Sequence, residues 1–344
     1  MVYERIPSPP ALPEGWSARF ARPNEEEAVL RVFEQAFPRW PKLEGSVSPL
    51  EHLRWKMSCH PLAEKFHIVV DTPDGIVGAR LEWAFDTKLN DRVVLMRESV
   101  DRGVMPEHQL KYAMSAMRVF GQQLRDESFD MYLGYQGGAP GMEKLRKYRV
   151  PESTRYHRRM DILVCDPALA PPRPASETSW QLCEVKSFDE RADALWSKAS
   201  QQFQFGVIRS SAYLNWRYAD ARAGGYVVLA AEENGRWLGY IVLRSSGELG
   251  YIADLLALPE RSDVADSLLS AAIERFRREG RREIECWSEA HSVYRWSLDN
   301  AGFRKPRRSI GLTFRPLSFP AAEAAFLDDP TASILFSAGD TDLV

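Results

Sequence analysis

The chain of 344 residues is 44% hydrophobic and 27% charged, which is enough apolar material for a sizeable core and too much chain for one small domain. Its 45 Lys and Arg stand against 48 Asp and Glu, a formal charge of -3, so no overall basic field is available to hold a nucleic acid or an anionic membrane. No run approaches the ~18 apolar residues of a spanning helix, the four cysteines form no Cys-x-x-Cys pair and the six histidines show no ligand spacing, so a cytoplasmic protein without disulfide framework or metal site is expected.

The first predicted element is a helix opened by Asn24 to Glu27, read as a capping box, with Val29, Leu30, Phe33 and Phe37 on one face. Two strand-like runs follow, Phe66 to Thr72 and Ile76 to Phe85, joined through Asp74-Gly75, a dipeptide that supplies the positive φ of a tight hairpin. A third strand carries Glu98 and ends at Asp101, Met105, Pro106 and Glu107. Behind it Leu110, Ala113, Met114, Met117 and Leu124 mark a helix, and strands are expected at Met131 to Tyr135 and Met160 to Val164.

Residues Cys165 to Thr178 contain four prolines and few apolar side chains, the signature of an extended linker. After it the same order returns. Ser187 to Glu190 opens a helix with Leu195, Trp196, Ala199 and Phe203, Asn234-Gly235 joins two strands, and a third strand ends at Asp254, Leu258, Pro259 and Glu260. Then come a helix with Val264, Leu268, Leu269, Ala272 and Phe276, a strand at Ile284 to Trp287 and a last strand at Ile310 to Phe314. The offset between copies drifts from 160 residues at the hairpins to 153 at the proline motif and 150 at the last strands, as duplicated units with small loop deletions would give. The limits read as an extension over 1–17, a first unit over 18–164, a linker over 165–178, a second unit over 179–316 and a partly ordered tail over 317–344.

Helix, hairpin, a strand ending in D-x-x-x-[ML]-P-E, helix, strand, helix and strand resemble the GNAT (N-acetyltransferase) superfamily, here twice in tandem. The resemblance implies an α/β fold of two GNAT-like domains, each a mixed, mostly antiparallel sheet flanked by helices. It further implies an acyl-CoA-dependent N-acyltransferase that moves an acetyl group, or another acyl group, from coenzyme A to a small-molecule or peptide amine by direct attack, with no metal, nucleic acid or membrane involved. Oligomeric state is not legible.

In the family the stretch after the proline presents amides to the coenzyme A pyrophosphate, which a helix start favours. In the first unit this implies Met105, Gln109, Leu110, Lys111, Tyr112, Ala113 and Met114 as the cofactor loop, with the amide near Val104 polarising the carbonyl. Tyr112 and Met114 stand where small residues are usual. In the second unit Asp263 and Asp266 oppose an incoming anion and complement the helix dipole themselves. The site is therefore expected in the first unit, with Glu98 or Asp101 as base, their i, i+3 spacing placing them on opposite strand faces by simple alternation. Met142 and Leu298 fill the family's usual tyrosine position, which leaves Tyr132 or Tyr135 as acid. The alternative is a catalytically inactive tandem GNAT acting as a ligand-sensing or protein-interaction module.

Overall fold

The computed structural model describes residues 12–41, 47–58, 66–109, 113–114, 116–117, 120, 128–136, 155–171 and 179–342, apart from the side chains of 136 and 305–307. Its strands form one sheet whose order explains the rest of the molecule. From one edge these are β1 (Ser17–Phe20), β2 (Ile68–Thr72), β3 (Gly75–Leu89), β4 (Arg92–Val104) and β5 (Met131–Gln136). The other edge supplies β7 (Gln181–Val185), β9 (Val227–Glu233), β10 (Arg236–Ser246), β11 (Leu249–Ala257) and β12 (Glu283–Ser288). Between β5 and β12 lie β13 (Arg304–Pro316) and β6 (Tyr156–Cys165), so the sheet runs β1-β2-β3-β4-β5-β13-β6-β12-β11-β10-β9-β7. The two repeats thus appear as mirror sequences of strands that have exchanged their last members: β13 pairs with β5, and β6 pairs with β12. Alternation locates both strands in the sequence, but it carries no record of which edge each one joins.

Local chemistry sets most of these elements. In the second hairpin Asn234 and Gly235 both take positive φ, 51° and 74°, as a two-residue turn requires. The first turn differs from expectation. Pro73 and Asp74 form it, and Gly75, at φ 115°, sits beside a register shift between β2 and β3. The capping boxes are also replaced. Helix α1 (Glu26–Ala36) starts after Glu25 without a side-chain cap, and α3 (Glu190–Ala199) is capped by Asp189, which accepts from Arg191 N.

Helix α1 buries Val29, Val32 and Phe33 against β3 and β4, each such side chain contributing about 1.5–3 kcal/mol. Gly103 permits that approach, because a Cβ there would lie 2.9 Å from Ala36 and 3.0 Å from Phe33. A second helix, α2 (Pro49–Met57), was not anticipated, although Ser48-Pro49-x-Glu51 is a proper start: the Ser48 hydroxyl accepts from Glu51 N and Pro49 takes the first position. Its Trp55 stacks on Trp216 of the second half at 5.1 Å and 17°, and the rings trade hydrogen bonds, Trp55 Nε1 to Trp216 O at 2.7 Å and Trp216 Nε1 to Trp55 O at 3.2 Å.

The segment after Pro316 is folded as far as it is described. Strand β14 (Ile334–Leu335) pairs with β8 (Phe205–Val207), and Asp340 and Thr341 are fully buried. The tail is more ordered than expected: Ala324, Leu327, Ile334, Leu335 and Phe336 join the core and Asp340 pairs with Arg209, through contacts so distant in sequence that they leave no periodicity to read. Gly339 passes so tightly that an added Cβ would overlap the Tyr218 hydroxyl and lie 2.9 Å from Ala253 O.

Candidate active site

Strands β4 and β5 run parallel and pair only over Met96–Glu98 and Met131–Leu133. Beyond that point β4 stays with β3 while β5 continues along β13, so the sheet opens into a wedge. The second half repeats the design. Strands β11 and β12 pair over Leu249–Ile252 and Glu283–Cys286, after which β12 follows β6.

Glu98 stands at the apex of the first wedge, 1% exposed, and Tyr135 donates a hydrogen bond to its Oε1 at 2.8 Å. Glu98 Oε2 is buried and has no hydrogen-bond partner among the described residues. Burial, and after it the charge of Asp342, pushes the Glu98 carboxyl well above the ordinary range, against the pull of Tyr135 and Lys56. Burial and the neighbouring Glu98 carboxylate likewise raise Tyr135, so its phenol keeps its proton.

A bulge corrects the expected geometry of the two acidic residues. Glu82 opposes Ser99 while Arg80 opposes Arg102, so β4 carries one extra residue between them. The extra residue resets the alternation and brings Asp101 to the face that already holds Glu98 and Trp83. The same device recurs where Leu243 opposes Ile252 and Val242 opposes Asp254.

The four residues proposed for acid and base work therefore separate. Glu98, Asp101 and Tyr135 share a face, whereas Tyr132 lies on the other, its ring 5.6 Å from the guanidinium of the fully buried Arg97, which pairs with Glu82 at 3.0 Å. Asp101 is engaged by Lys56 Nζ at 2.5 Å. Its counterpart Asp254 is held by Arg209 at 2.9 Å and Tyr240 at 2.8 Å, so the repeated aspartate has an ion-pairing partner in each half.

Of the predicted cofactor loop, Val104 ends β4. Because Met105 N bonds to Val77 O at 2.9 Å and Gly78 opposes Val104, the ladder alternation turns the Val104 N–H away from β3 and toward the wedge. Gln109 folds back to donate to Val104 O at 3.1 Å, and Met105 packs on the apolar cluster beneath it. Ala113 is fully buried in that cluster with Met114 against it, while Leu110, Lys111 and Tyr112, like Met142, lie outside the described residues. A buried carboxylate oxygen without a hydrogen-bond partner among the described residues and a strand-end amide that the ladder does not use suit a group that delivers an electrophilic carbonyl and receives a nucleophile.

In the second wedge the chain itself takes the strand-end amide and lines a cavity of about 450 Å³, mouth included. Ala257, the counterpart of Val104, gives its N–H to the Tyr294 hydroxyl at 2.9 Å, and Ile334 to Ser337 run along the cavity there.

Around Lys56 and Asp342, whose charges act on Glu98, lies a cavity of about 440 Å³, including its mouth, that both halves and the last segment build. His52, Trp55 and Lys56 reach it from one face of α2, at i, i+3 and i+4. Trp83 and Asp101 come from the sheet, Arg217 and Arg244 from the second half, and Asp342 from the last segment. Lys56 Nζ, 3.4 Å from Asp342, sits 5.7 Å from the Trp83 ring centre. Arg217 issues from a π-helical turn over Asn215–Ala219 and donates to Gly339 O at 2.7 Å, Thr341 O at 2.9 Å and the Tyr226 hydroxyl at 2.6 Å. Burial, aided by Lys56, drives His52 down to about 4, and its Nδ1 is 2.8 Å from Arg222 O, so the imidazole is neutral at ordinary pH. Sequence reasoning missed this wall. Local signals for it exist in the sequence only as the aromatic run Tyr213 to Tyr218 and the Ser48-Pro49-x-Glu51 helix start.

No family model and no curated sequence matches the chain. Solved structures do. A probable N-acyltransferase from Enterococcus faecalis superposes with a TM-score of 0.64 at 10% identity, over 89% of this chain and 73% of its own. A GCN5-related N-acetyltransferase from Anabaena variabilis gives 0.62 at 12% identity, over 89% and 74%. N-myristoyltransferase from Saccharomyces cerevisiae, solved with bound myristoyl-CoA, gives 0.59 at 10% identity, over 90% and 81%. The chain has the fold of the GNAT superfamily in its tandem two-domain form. Among the described residues no helix is long and apolar enough to cross a membrane and no cluster of metal-ligating side chains occurs.

Proposed function

We propose that the protein is an acyl-CoA-dependent N-acyltransferase whose single working site is the first wedge, within repeats spanning residues 18–164 and 179–316. The observation that carries this reading is the buried, unpartnered Oε2 of Glu98 at the apex, with Tyr135 on the other oxygen. An acyl-CoA supplies an activated carbonyl, an acetyl group in the simplest case. The Val104 N–H is the donor that would meet its oxygen, and Met105, Gln109 and the stretch 110–114 are the residues that would hold its carrier.

Glu98 Oε2 takes the proton that the attacking nitrogen gives up. Its raised proton affinity suits a base that works near neutral pH, where an ordinary carboxylate would be too weak. Tyr135 passes its proton to the departing sulfur and is reprotonated by the Glu98 carboxyl, which holds the proton taken from the nitrogen, so both groups return to their starting charge. The new C–N bond replaces the C–S bond, and no group on the protein is acylated. Asp101, already bound to Lys56, is a weaker candidate for base and serves to orient that lysine. Holding amine and carbonyl together contributes most of the acceleration.

Calorimetric titration with acetyl-CoA, followed by a thiol-release assay over a panel of amines, tests the reading. Binding without release from any amine would favour a ligand-sensing module, and no binding of any acyl-CoA would end the enzyme reading.

A further inference from the structure

The second half grips the last segment just before that segment meets Lys56. Asp340 is held by its side chain, which accepts from Arg209 Nη2 at 2.7 Å and from the Tyr213 hydroxyl at 3.1 Å. Its two neighbours are held by their backbone, because Arg217 donates from Nε to Gly339 O at 2.7 Å and from Nη2 to Thr341 O at 2.9 Å. A planar guanidinium spans two carbonyls in fixed geometry, which the point charge of an ammonium does not. Asp342 follows directly, with its Oδ2 3.4 Å from Lys56 Nζ. That ammonium also binds Asp101 at 2.5 Å, on the face of β4 that carries Glu98. Arg217 is itself fixed from several sides. In its π-helical turn Asn215 accepts from Phe188 N and donates to Phe188 O, each at 2.8 Å, and Trp216 stacks on Trp55. The guanidinium lies 5.6 Å and 5.7 Å from the centres of the Trp55 and Trp83 rings. Such turns are frequent at functional positions.

We infer that Arg217 is a positioning residue for the reaction: from the second half it fixes residues 339–341 and thereby sets Asp342 against Lys56, in the surroundings of the base. This rests on Glu98 being that base, as proposed above. After burial, the groups that act most strongly on Glu98 are Asp342 from the last segment, Tyr135 from β5, Lys56 from α2 and Asp340. Asp101 shares its face of β4, and His52, Arg217 and Arg244 line the cavity around Lys56. Asp342 and Asp340 favour the protonated carboxyl, while Tyr135 and Lys56 favour the carboxylate. The sign of one substitution therefore separates two roles for Arg217. A cation acting directly on Glu98 favours the carboxylate, so its removal would make Glu98 titrate at higher pH. A cation acting by holding Asp342 in place favours the proton, so its removal makes Glu98 titrate at lower pH.

The test follows the Glu98 carboxyl by carbon NMR titration of the full chain labelled at its glutamate carboxyls, the signal being the one lost in Glu98→Gln. The acid limb of kcat/KM for thiol release is read beside it. Asp342→Asn should lower the Glu98 midpoint. Arg217→Met should give most of that shift, and should move the midpoint little when Asp342→Asn is already present. Gly339→Ala adds a methyl that would overlap the Tyr218 hydroxyl, so it displaces the same residues with Arg217 in place and should shift the midpoint the same way. Arg217→Lys keeps the charge, loses the fork and should give a smaller fall, and it decides where Arg217→Met is unstable. A midpoint that rises or stays unmoved in the Arg217 variants, or one that falls equally with and without Asp342, would overturn the inference. The expected shifts without thiol release from any amine would uphold the placing of Asp342 by Arg217 and count against the enzyme reading alone.

Discussion

Tyr135 holds Glu98 across the gap between two strands that have just stopped pairing, with its hydroxyl 2.8 Å from Oε1. The other oxygen is buried without a hydrogen-bond partner among the described residues, and so the pair should work as a unit. Glu98→Gln keeps the shape and loses the basic oxygen. We expect kcat to fall by ~10²–10⁴-fold, the usual contribution of a general base, with acetyl-CoA binding unchanged by calorimetry. A variant with wild-type kcat would remove Glu98 from the mechanism.

The acid side of the pH profile should belong to Glu98. The carboxylate is the working form, so activity is lost as pH falls through its raised pKa, at a higher pH than an ordinary carboxyl group would give. Asp342 raises that value and the Tyr135 hydrogen bond lowers it. Asp342→Asn should therefore move the acid limb of kcat/KM to lower pH, and Tyr135→Phe should move it to higher pH. Shifts in the same direction, or an unmoved limb in both, would assign the limb to another group.

The two wedges should not be equivalent toward acyl-CoA. Tyr294 occupies the Ala257 amide and residues 334–337 run along the second opening, while Val104 keeps its N–H turned to the first. Titration should give one site per chain, and Tyr294→Phe should leave that number unchanged, since the last segment still runs along the opening. Two sites per chain in the wild type would show that the second wedge opens.

Much of this architecture is legible in the sequence, and the part that is not has a physical pattern. Alternating side chains, the Asn234-Gly235 turn and the recurring Asp, Pro and Glu at strand ends mark strands and repeats because each is a local preference. Glu98 and Tyr135 are legible as candidates for the same reason. Their pairing is not, nor is the bulge that carries Asp101 to the same face, because one inserted residue in β4 leaves no mark in composition. The strand exchange, the α2 wall of the cavity and the burial of Asp340 depend on contacts more than a hundred residues apart, which no local window contains.

Arg209 offers a test of how the last segment is held. It is fully buried between Asp254 at 2.9 Å and Asp340 at 2.7 Å, and its hydrogen bonds tie the second half to the chain that crosses toward Glu98. Arg209→Met would leave two carboxylates buried without their cation, a change that costs about 3–5 kcal/mol where one partner of such a pair is removed. Burial already raises Asp340 even with Arg209 in place, so in the variant that acid should hold its proton more tightly than in the unfolded chain. The sign follows. A folded carboxyl with raised pKa binds more protons than the unfolded one, so the native state is favoured in acid and loses ground as pH rises above about 4, the unfolded value. The deficit of Arg209→Met against wild type, measured by urea unfolding, should thus be largest near neutral pH and narrow toward pH 4. Loss of the last segment's anchorage should also appear as earlier proteolysis beyond residue 330. A deficit below about 1 kcal/mol, or one that widens in acid, would mean that the three charges contribute little to holding this segment.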